Sequence, residues 1–241
     1  MRRFIAPPNS VTGNRVTLRN SQARHVAVVL RLRPGDRVVV LDGTGREFEV
    51  ELESIAAEEV IGRIVSAREG RRPVLHLALL QGVPKGAKMD DVIRMGTEVG
   101  VAEFVPFLSE RTVAEGRQRV GRWLRIATEA AKQCRRSDVP VVHEPMPFHE
   151  ALEKVSGYDR ILVLWEGEQS RSIAHALTNA HRASRAAVIV GPEGGLQSRE
   201  VEEATSRGAI PVTLGPLILR TETAGIVAIA MVLYELTLRT S

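Results

Sequence analysis

Ala187-Val188-Ile189-Val190-Gly191-Pro192-Glu193-Gly194-Gly195-Leu196 is the stretch whose reading decides the fold. Its apolar half, Ala186 to Val190, is short and unbroken, as suits a strand buried on both faces of a parallel sheet. It runs straight into a glycine-rich turn and then a helical pattern from about Ser198 to Arg207. Ligands of parallel α/β sheets sit at the carboxyl ends of strands, so this turn is a candidate binding loop. Glycine lets backbone approach a ligand closely. The spacing is not G-x-G-x-x-G and no Gly-Lys-Ser/Thr follows, which excludes the dinucleotide fingerprint and the P-loop. An ordinary strand-to-helix turn would account for the glycines by themselves.

The same strand–turn–helix pattern recurs on either side. Val74 to Leu80, Phe104 to Leu108, Arg160 to Trp165 and Ile210 to Leu214 read as further buried strands. Helices are predicted over Gln118 to Cys134, where Val120, Trp123, Leu124, Ala127, Ala130, Ala131 and Cys134 recur at three- and four-residue spacing, and over Glu222 to Leu238. This alternation predicts an α/β domain with a largely parallel sheet. Two more strand ends draw notice. Leu214-Gly215-Pro216-Leu217-Ile218-Leu219-Arg220-Thr221-Glu222-Thr223-Ala224 carries an apolar triplet in a loop before a polar helix entry, which suits a flat apolar ligand. Leu164-Trp165-Glu166 ends another strand; a core strand running into a polar turn explains it equally well.

Residues 1–70 read differently. Arg37 to Leu41, Arg46 to Leu52 and Val60 to Val65 are strands set between Pro-Gly-Asp and Asp-Gly-Thr-Gly turns, and Ser21 to Leu32 reads as a helix. The polar Glu69-Gly70-Arg71-Arg72-Pro73 segment marks a boundary, giving domains 1–71 and 72–241. Composition is that of a soluble globular chain, 44% hydrophobic and 26% charged. The apolar stretch Ala224 to Tyr234 is too short to span a bilayer. The amino-terminal segment lacks the apolar core of a signal peptide. One cysteine, Cys134, excludes an internal disulfide and a cysteine-built zinc site, and a reducing cytoplasm follows as the simple reading. Cys134 itself reads as a buried small hydrophobe. His143, His149, His175 and His181 have no ligand-like spacing, so no metal is expected.

The net charge of +4 says less than its placement. Residues 1–33 hold seven arginines and no acid, and residues 111–136 hold eight Lys/Arg against two Glu. Guanidinium groups match phosphate geometry, so RNA is a candidate partner. With only four lysines against 29 arginines, a general arginine bias explains part of this.

The Gly191–Leu196 and Leu214–Ala224 stretches, in this order, resemble the paired carboxyl-terminal signature of RsmE-type methyltransferases. Gln81-Gly-Val-Pro-Lys85-Gly-Ala-Lys88-Met-Asp, Thr97-Glu98-Val-Gly-Val101 and Glu129-Ala-Ala-Lys-Gln133 resemble other blocks of that family. His25-Val26 and Leu30-Arg31-Leu32-Arg33-Pro34-Gly35-Asp36 resemble its small RNA-binding domain. The resemblance implies a PUA-like β-barrel domain, then a SPOUT-type parallel sheet ending in a trefoil knot. It implies a homodimer, S-adenosyl-L-methionine as cofactor, and methylation of a uridine N3 in 16S ribosomal RNA of the small subunit. The cofactor set it implies is Leu164, Trp165, Glu166, Gly191, Pro192, Gly194, Gly195, Leu214, Gly215, Leu217, Ile218, Leu219, Thr221 and Ala224. Arg220 is the candidate for stabilising charge on the uracil oxygens, its alternative being a structural salt bridge. Glu193 and Glu222 are candidate bases, or loop fasteners through backbone N–H groups. Arg2, Arg3, Arg24, His25, Arg31 and Arg33 are candidate RNA contacts, joined by Lys85 and Lys88. One departure stands out: Gln197 occupies a helix-capping position that the family commonly gives to Ser or Thr, so Ser198 is expected to cap instead. Another RNA target, ribose 2′-O methylation, and a non-catalytic RNA-binding protein are the alternatives.

Overall fold

The computed structural model describes residues 1–70, 73–111, 120–180 and 182–238. The chain divides into two compact units, Met1–Arg72 with Ala131–Val139, and Pro73–Ala130 with Pro140–Ser241.

In the first unit six strands form one sheet. They are β1 (Arg2–Ile5), β2 (Val11–Thr12), β3 (Arg15–Arg19), β4 (Arg37–Leu41), β5 (Arg46–Ile55) and β6 (Glu59–Glu69), in the order β1-β4-β5-β6-β3-β2. Only the β1–β4 pairing is parallel. Alternation buries Val38, Val40, Phe48, Val50 and Leu52 around Phe4, Val16, Leu18 and Val26. The helix expected over 21–32 is shorter. Its α-helical turn α1 (Ser21–Arg24) widens into a π turn over His25–Val29 and ends where Arg31 takes φ +51°. The segment Ala131–Val139, which the sequence reading leaves to residues 72–241, belongs to this unit. Ala131 is buried with Ile5 and Leu41, and Ser137 donates a hydrogen bond to Glu47.

In the second unit seven strands form an entirely parallel sheet: β7 (His76–Gly82), β8 (Glu103–Leu108), β9 (Val141–Val142), β10 (Met146–Pro147), β11 (Arg160–Leu164), β12 (Arg185–Val190) and β13 (Ala209–Val212). The order is β10-β8-β7-β12-β11-β13, with β9 on β8. One face buries Ala78, Leu80, Val105 and Phe107 under α4 (Phe148–Lys154) and α6 (Ser198–Ser206). Helices α2 (Lys88–Val99) and α7 (Thr221–Leu233) cover the other face, with the short α5 (Ile173–Ala176) packed against α7; there Gly96 makes room for the Phe104 ring and Gly225 lies over Leu79. With both faces covered, the strands carry continuous apolar runs, as read from the sequence. Helix α3 (Val120–Gln133) begins at the first described residue after 111; positions 118 and 119 of the expected helix, and His181, lie outside the described residues.

Helix α7 continues as a π turn to Leu238, an 18-residue apolar run long enough by composition to cross a membrane. It lays Gly225, Ala228, Ile229 and Val232 against the core instead. Gln197, not Ser198, is the N-cap of α6: its N–H donates to Glu200 Oε2 at 2.8 Å, and Ser198 is the first helical residue. The Glu200 carboxylate closes this end, so a hydroxyl cap is not required. Cys134 is half-buried, with Sγ 3.6 Å from the Ala131 carbonyl, because it sits at the frayed end of α3.

Candidate functional site

The carboxyl end of β7 meets the Gly191 turn at very close range. A Cβ on Gly82 would lie 2.5 Å from the Pro192 nitrogen, and one on Gly191 would lie 2.8 Å from the Gly195 carbonyl carbon. Only glycine permits this folding-back of the loop on itself and on β7. Gln81, fully buried, donates through Nε2 to Thr221 Oγ1 at 2.8 Å and to the Gly82 carbonyl at 3.1 Å. The Thr221 hydroxyl donates in turn to the Gly191 carbonyl at 2.6 Å. The first residue of α7 is thus tied to the first residue of the loop after β12.

Two more tethers hold that loop. Glu193 accepts from the Lys85 backbone N–H at 3.1 Å and pairs with Lys88 Nζ at 2.7 Å. Burial opposes its ionisation, but the Lys88 ammonium and the backbone N–H groups prevail and hold Glu193 below the usual carboxylate range. Glu193 is therefore a fastener with its lone pairs engaged and its basicity reduced. On the other side the Arg111 guanidinium donates to the Gly194 carbonyl. Glu110 pairs with Arg199, and its N–H donates to Glu200 at 3.3 Å. Glu166, after β11, lies beside Gly195: a Cβ there would be 3.7 Å from Glu166 Oε1. Trp165 is half-buried against the core, and its ring lies so close to Gly167 that a Cβ there would be 2.5 Å from Trp165 Cζ2.

The structure thus brings Gly191, Pro192, Gly194, Gly195, Glu193, Glu166, Thr221, Lys85 and Lys88 together. Leu164 ends β11, and Ala224 lies one turn into α7, both half-buried. Leu214, Gly215 and Leu219 belong to a loop whose tip, Leu217 and Ile218, is 77% and 85% exposed. Arg220 is the exposed N-cap of α7 and makes no ion pair among the described residues. Its charge is felt at Lys88, as is that of Glu222. Glu222 Oε2 is buried without a hydrogen-bond partner among the described residues. Close-approach glycines, exposed apolar loop residues and an unsatisfied carboxylate oxygen fit a ligand that combines a flat apolar portion with cationic groups.

Sequence reading missed Gln81 and Arg111 as site residues. Each stands within a quoted block or charge cluster, but no spacing rule points to the Gly191 loop. It also missed a polar cluster at the opposite, amino-terminal end of the strands. Glu103 accepts from His143 at 2.6 Å, Tyr158 at 2.8 Å and His76 at 3.1 Å.

In the first unit the arginines separate into two groups. Arg3 pairs with buried Glu47, as does Arg68, while Arg15 and Arg19 pair with Glu53 and Glu59. Arg2, Arg24, Arg31 and Arg33 are exposed and make no ion pair among the described residues. His25 is exposed, edge-on to Phe4 at 6.0 Å, and Val28 and Val29 beside it are exposed too.

Residues 71–233 match the RNA methyltransferase domain family, and residues 18–65 match the RNA methyltransferase PUA domain. Ribosomal RNA small subunit methyltransferase E of Bacillus subtilis (strain 168) is 31% identical, over 95% of this chain and 91% of that protein. The Synechocystis protein of the same name is 34% identical, over 95% of this chain and 76% of its own length. The crystal structure of this enzyme from Neisseria gonorrhoeae, bound to S-adenosyl methionine, superposes with a TM-score of 0.86 at 31% identity, covering 98% of both chains. A Legionella pneumophila methyltransferase with bound SAM gives 0.82 at 28% identity, over 96% of both chains. With a methyltransferase domain over most of its length and these full-length relatives, the chain belongs to the ribosomal RNA small subunit methyltransferase E family.

Proposed function

We propose that this protein transfers a methyl group from S-adenosyl-L-methionine to N3 of a uridine in 16S ribosomal RNA of the small subunit. The observation that carries the reading is the convergence of the β7, β11 and β12 ends with the start of α7, beside an unpaired Arg220. The Gly191–Gly195 loop, Trp165, Glu166 and Leu217–Leu219 would hold the cofactor. When bound it supplies a methyl group on a sulfonium, a leaving group that needs no metal.

The chain's own residues have to orient the uracil and manage the N3 proton. Arg220, without an ion pair among the described residues, supplies positive charge where the uracil oxygens gain negative charge. Of the two carboxylates, Glu222 is the candidate proton acceptor, because its Oε2 is unsatisfied while Glu193 is engaged by Lys85 and Lys88. Lys88, held by Glu193, shapes the loop and leaves Lys85 as the phosphate contact of this pair. Arg2, Arg24, His25, Arg31 and Arg33 of the first unit provide the broader RNA surface, from which Arg3 is withdrawn by Glu47. The domain roles follow as RNA binding for residues 1–71 and catalysis for residues 72–241.

A trefoil knot through the Gly191 and Leu214–Thr221 segments fits the close passage of Gly82, Pro192 and Thr221; such threading is rare among folds. The exposed stripe Val227, Met231, Tyr234 and Leu238 on the last helix, spaced four, three and four residues apart, fits a homodimer interface. Met231→Asp should then shift the sedimenting species from dimer to monomer. A bacterial-type cytoplasm is the compartment this function requires.

Purified protein, S-adenosyl-L-methionine and small subunits lacking the modification provide the test. Nucleoside mass spectrometry should find 3-methyluridine in 16S RNA. A 2′-O-methyl nucleoside would move the target to ribose, and no methylation despite cofactor binding would leave a non-catalytic RNA-binding protein.

A further inference from the structure

We propose that Gln81 is a positioning residue for methyl transfer: its side-chain amide locks the Gly191 loop and the first turn of α7 into one unit. The inference rests on the functional reading above, and it concerns how the two halves of the site are kept in register.

Every preceding residue of β7 from Leu77 to Leu80 is apolar and fully buried, and Gln81 is buried as completely. An apolar residue would continue that run without the cost of desolvating an amide. Gln81 Oε1 is also buried with no hydrogen-bond partner among the described residues, where a Cβ on Gly225 would come within 3.2 Å of it. A strand that keeps an amide under these conditions keeps it for its donors, since each unsatisfied buried group requires a compensating role. Those donors are directional. Nε2 donates to Thr221 Oγ1, which commits the hydroxyl hydrogen to the Gly191 carbonyl, and Nε2 itself lies 3.4 Å from that carbonyl. Three elements distant in sequence share one network, with Thr221 as its pivot. Arg220 precedes the pivot and Glu222 follows it. Their backbone positions relative to the Gly191 loop therefore depend on this network, beside the Glu193 and Arg111 tethers that hold the loop itself.

The test uses the full chain with Gln81→Met, which keeps the length and removes the donors, Thr221→Val, which keeps the shape and removes the hydroxyl, Thr221→Ser, and the Gln81→Met/Thr221→Val double variant. Hydrogen exchange is read at the amides of residues 191–196 and 221–225, beside single-turnover methylation at saturating cofactor and RNA. Gln81→Met and Thr221→Val are each expected to speed exchange in both segments by about tenfold and to lower the methylation rate by about tenfold. The double variant should be no worse than the more impaired single one, because both remove the same linkage. Thr221→Ser should restore both readouts. Faster exchange confined to the substituted element, multiplicative losses in the double variant, or no rescue by serine would overturn the proposal. If Gln81→Met does not fold, the Thr221 pair still decides through exchange at residues 191–196. If the wild-type chain transfers no methyl group, the functional reading fails, while the exchange measurements still judge the linkage.

Discussion

At Gly195 the backbone takes φ +69°, and a Cβ would meet only the Glu166 carboxylate at an ordinary 3.7 Å. Space is available, so the requirement is conformational. A β-branched residue at this angle is strained by about 1–3 kcal/mol and would relax by changing the loop. Gly195→Val should abolish cofactor binding by calorimetry while the melting temperature falls only slightly. Normal affinity would show that the loop does not hold the cofactor. Arg220 gives a second residue-scale test. It makes no ion pair among the described residues, so the salt-bridge alternative weighed from sequence has no acidic partner there. Arg220→Ala is expected to leave melting temperature and cofactor affinity unchanged and to lower the single-turnover rate by about 3 kcal/mol, on the order of a hundredfold. Arg220→Lys should rescue only in part, lacking the planar fork, and higher pH should partly restore Arg220→Ala by easing loss of the N3 proton. Equal losses of rate and of melting temperature would return Arg220 to a structural role.

Elements of the second unit are tied at both ends of the sheet. At the carboxyl ends the ties are the Gln81, Glu193 and Arg111 hydrogen bonds. At the amino ends Glu103, starting β8, gathers His76 from β7, His143 beyond β9 and Tyr158 before β11. Burial alone would raise the Glu103 pKa, but hydrogen bonds from His143, His76 and Tyr158 lower it to about 2. Burial also pushes the Tyr158 hydroxyl up to about 12, with the Glu103 carboxylate adding to the shift. Because the folded-state pKa of Glu103 lies below its unfolded value near 4.5, its contribution is fully present above that value. It is lost as pH falls toward about 2. The shift corresponds to a stabilisation on the order of 3 kcal/mol. Urea unfolding should therefore find Glu103→Gln destabilised at neutral pH, with the gap from wild type narrowing below about pH 4. A gap independent of pH would mean that the cluster acts through packing rather than charge.

At the scale of the whole molecule, the proposed RNA contact depends on which arginines of residues 1–33 already face a glutamate and which do not. The seven arginines of residues 1–33 look equivalent in sequence, yet Arg3, Arg15 and Arg19 already face glutamates. Phosphate contacts release counterions, so each free arginine that touches one phosphate adds about one unit to the salt dependence of binding. Replacing Arg2, Arg24 and Arg31 together should lower the slope of log affinity against log salt by up to about three units. Replacing Arg15 and Arg19 should leave it nearly unchanged. The reverse result in filter-binding or anisotropy titrations would place the RNA on the strand face instead.

The sequence by itself determined what local periodicity encodes. Short buried runs such as Ala186–Val190, closed by a glycine turn, suit strands covered on both faces, and the helical spacing after Ser198 and Glu222 marks the elements that cover them. The glycine turn and the Leu214–Ala224 segment stood out because their residue types are costly or unusual where the pattern places them. A strand as short as β1 left too little periodicity to read, and the helical pattern over 21–32 did not show that its second half widens into a π turn. Tertiary structure alone decided which polar groups meet. Gln81 and Thr221 are 140 positions apart, Lys88 and Glu193 105, and Arg3 and Glu47 44. Local spacing does not fix such a pairing, because the partner is chosen by strand order and by loops crossing at one sheet end. It is these long-range pairings that turn Glu193 into a fastener, withdraw Arg3 from the surface and leave Arg220 without an ion pair among the described residues.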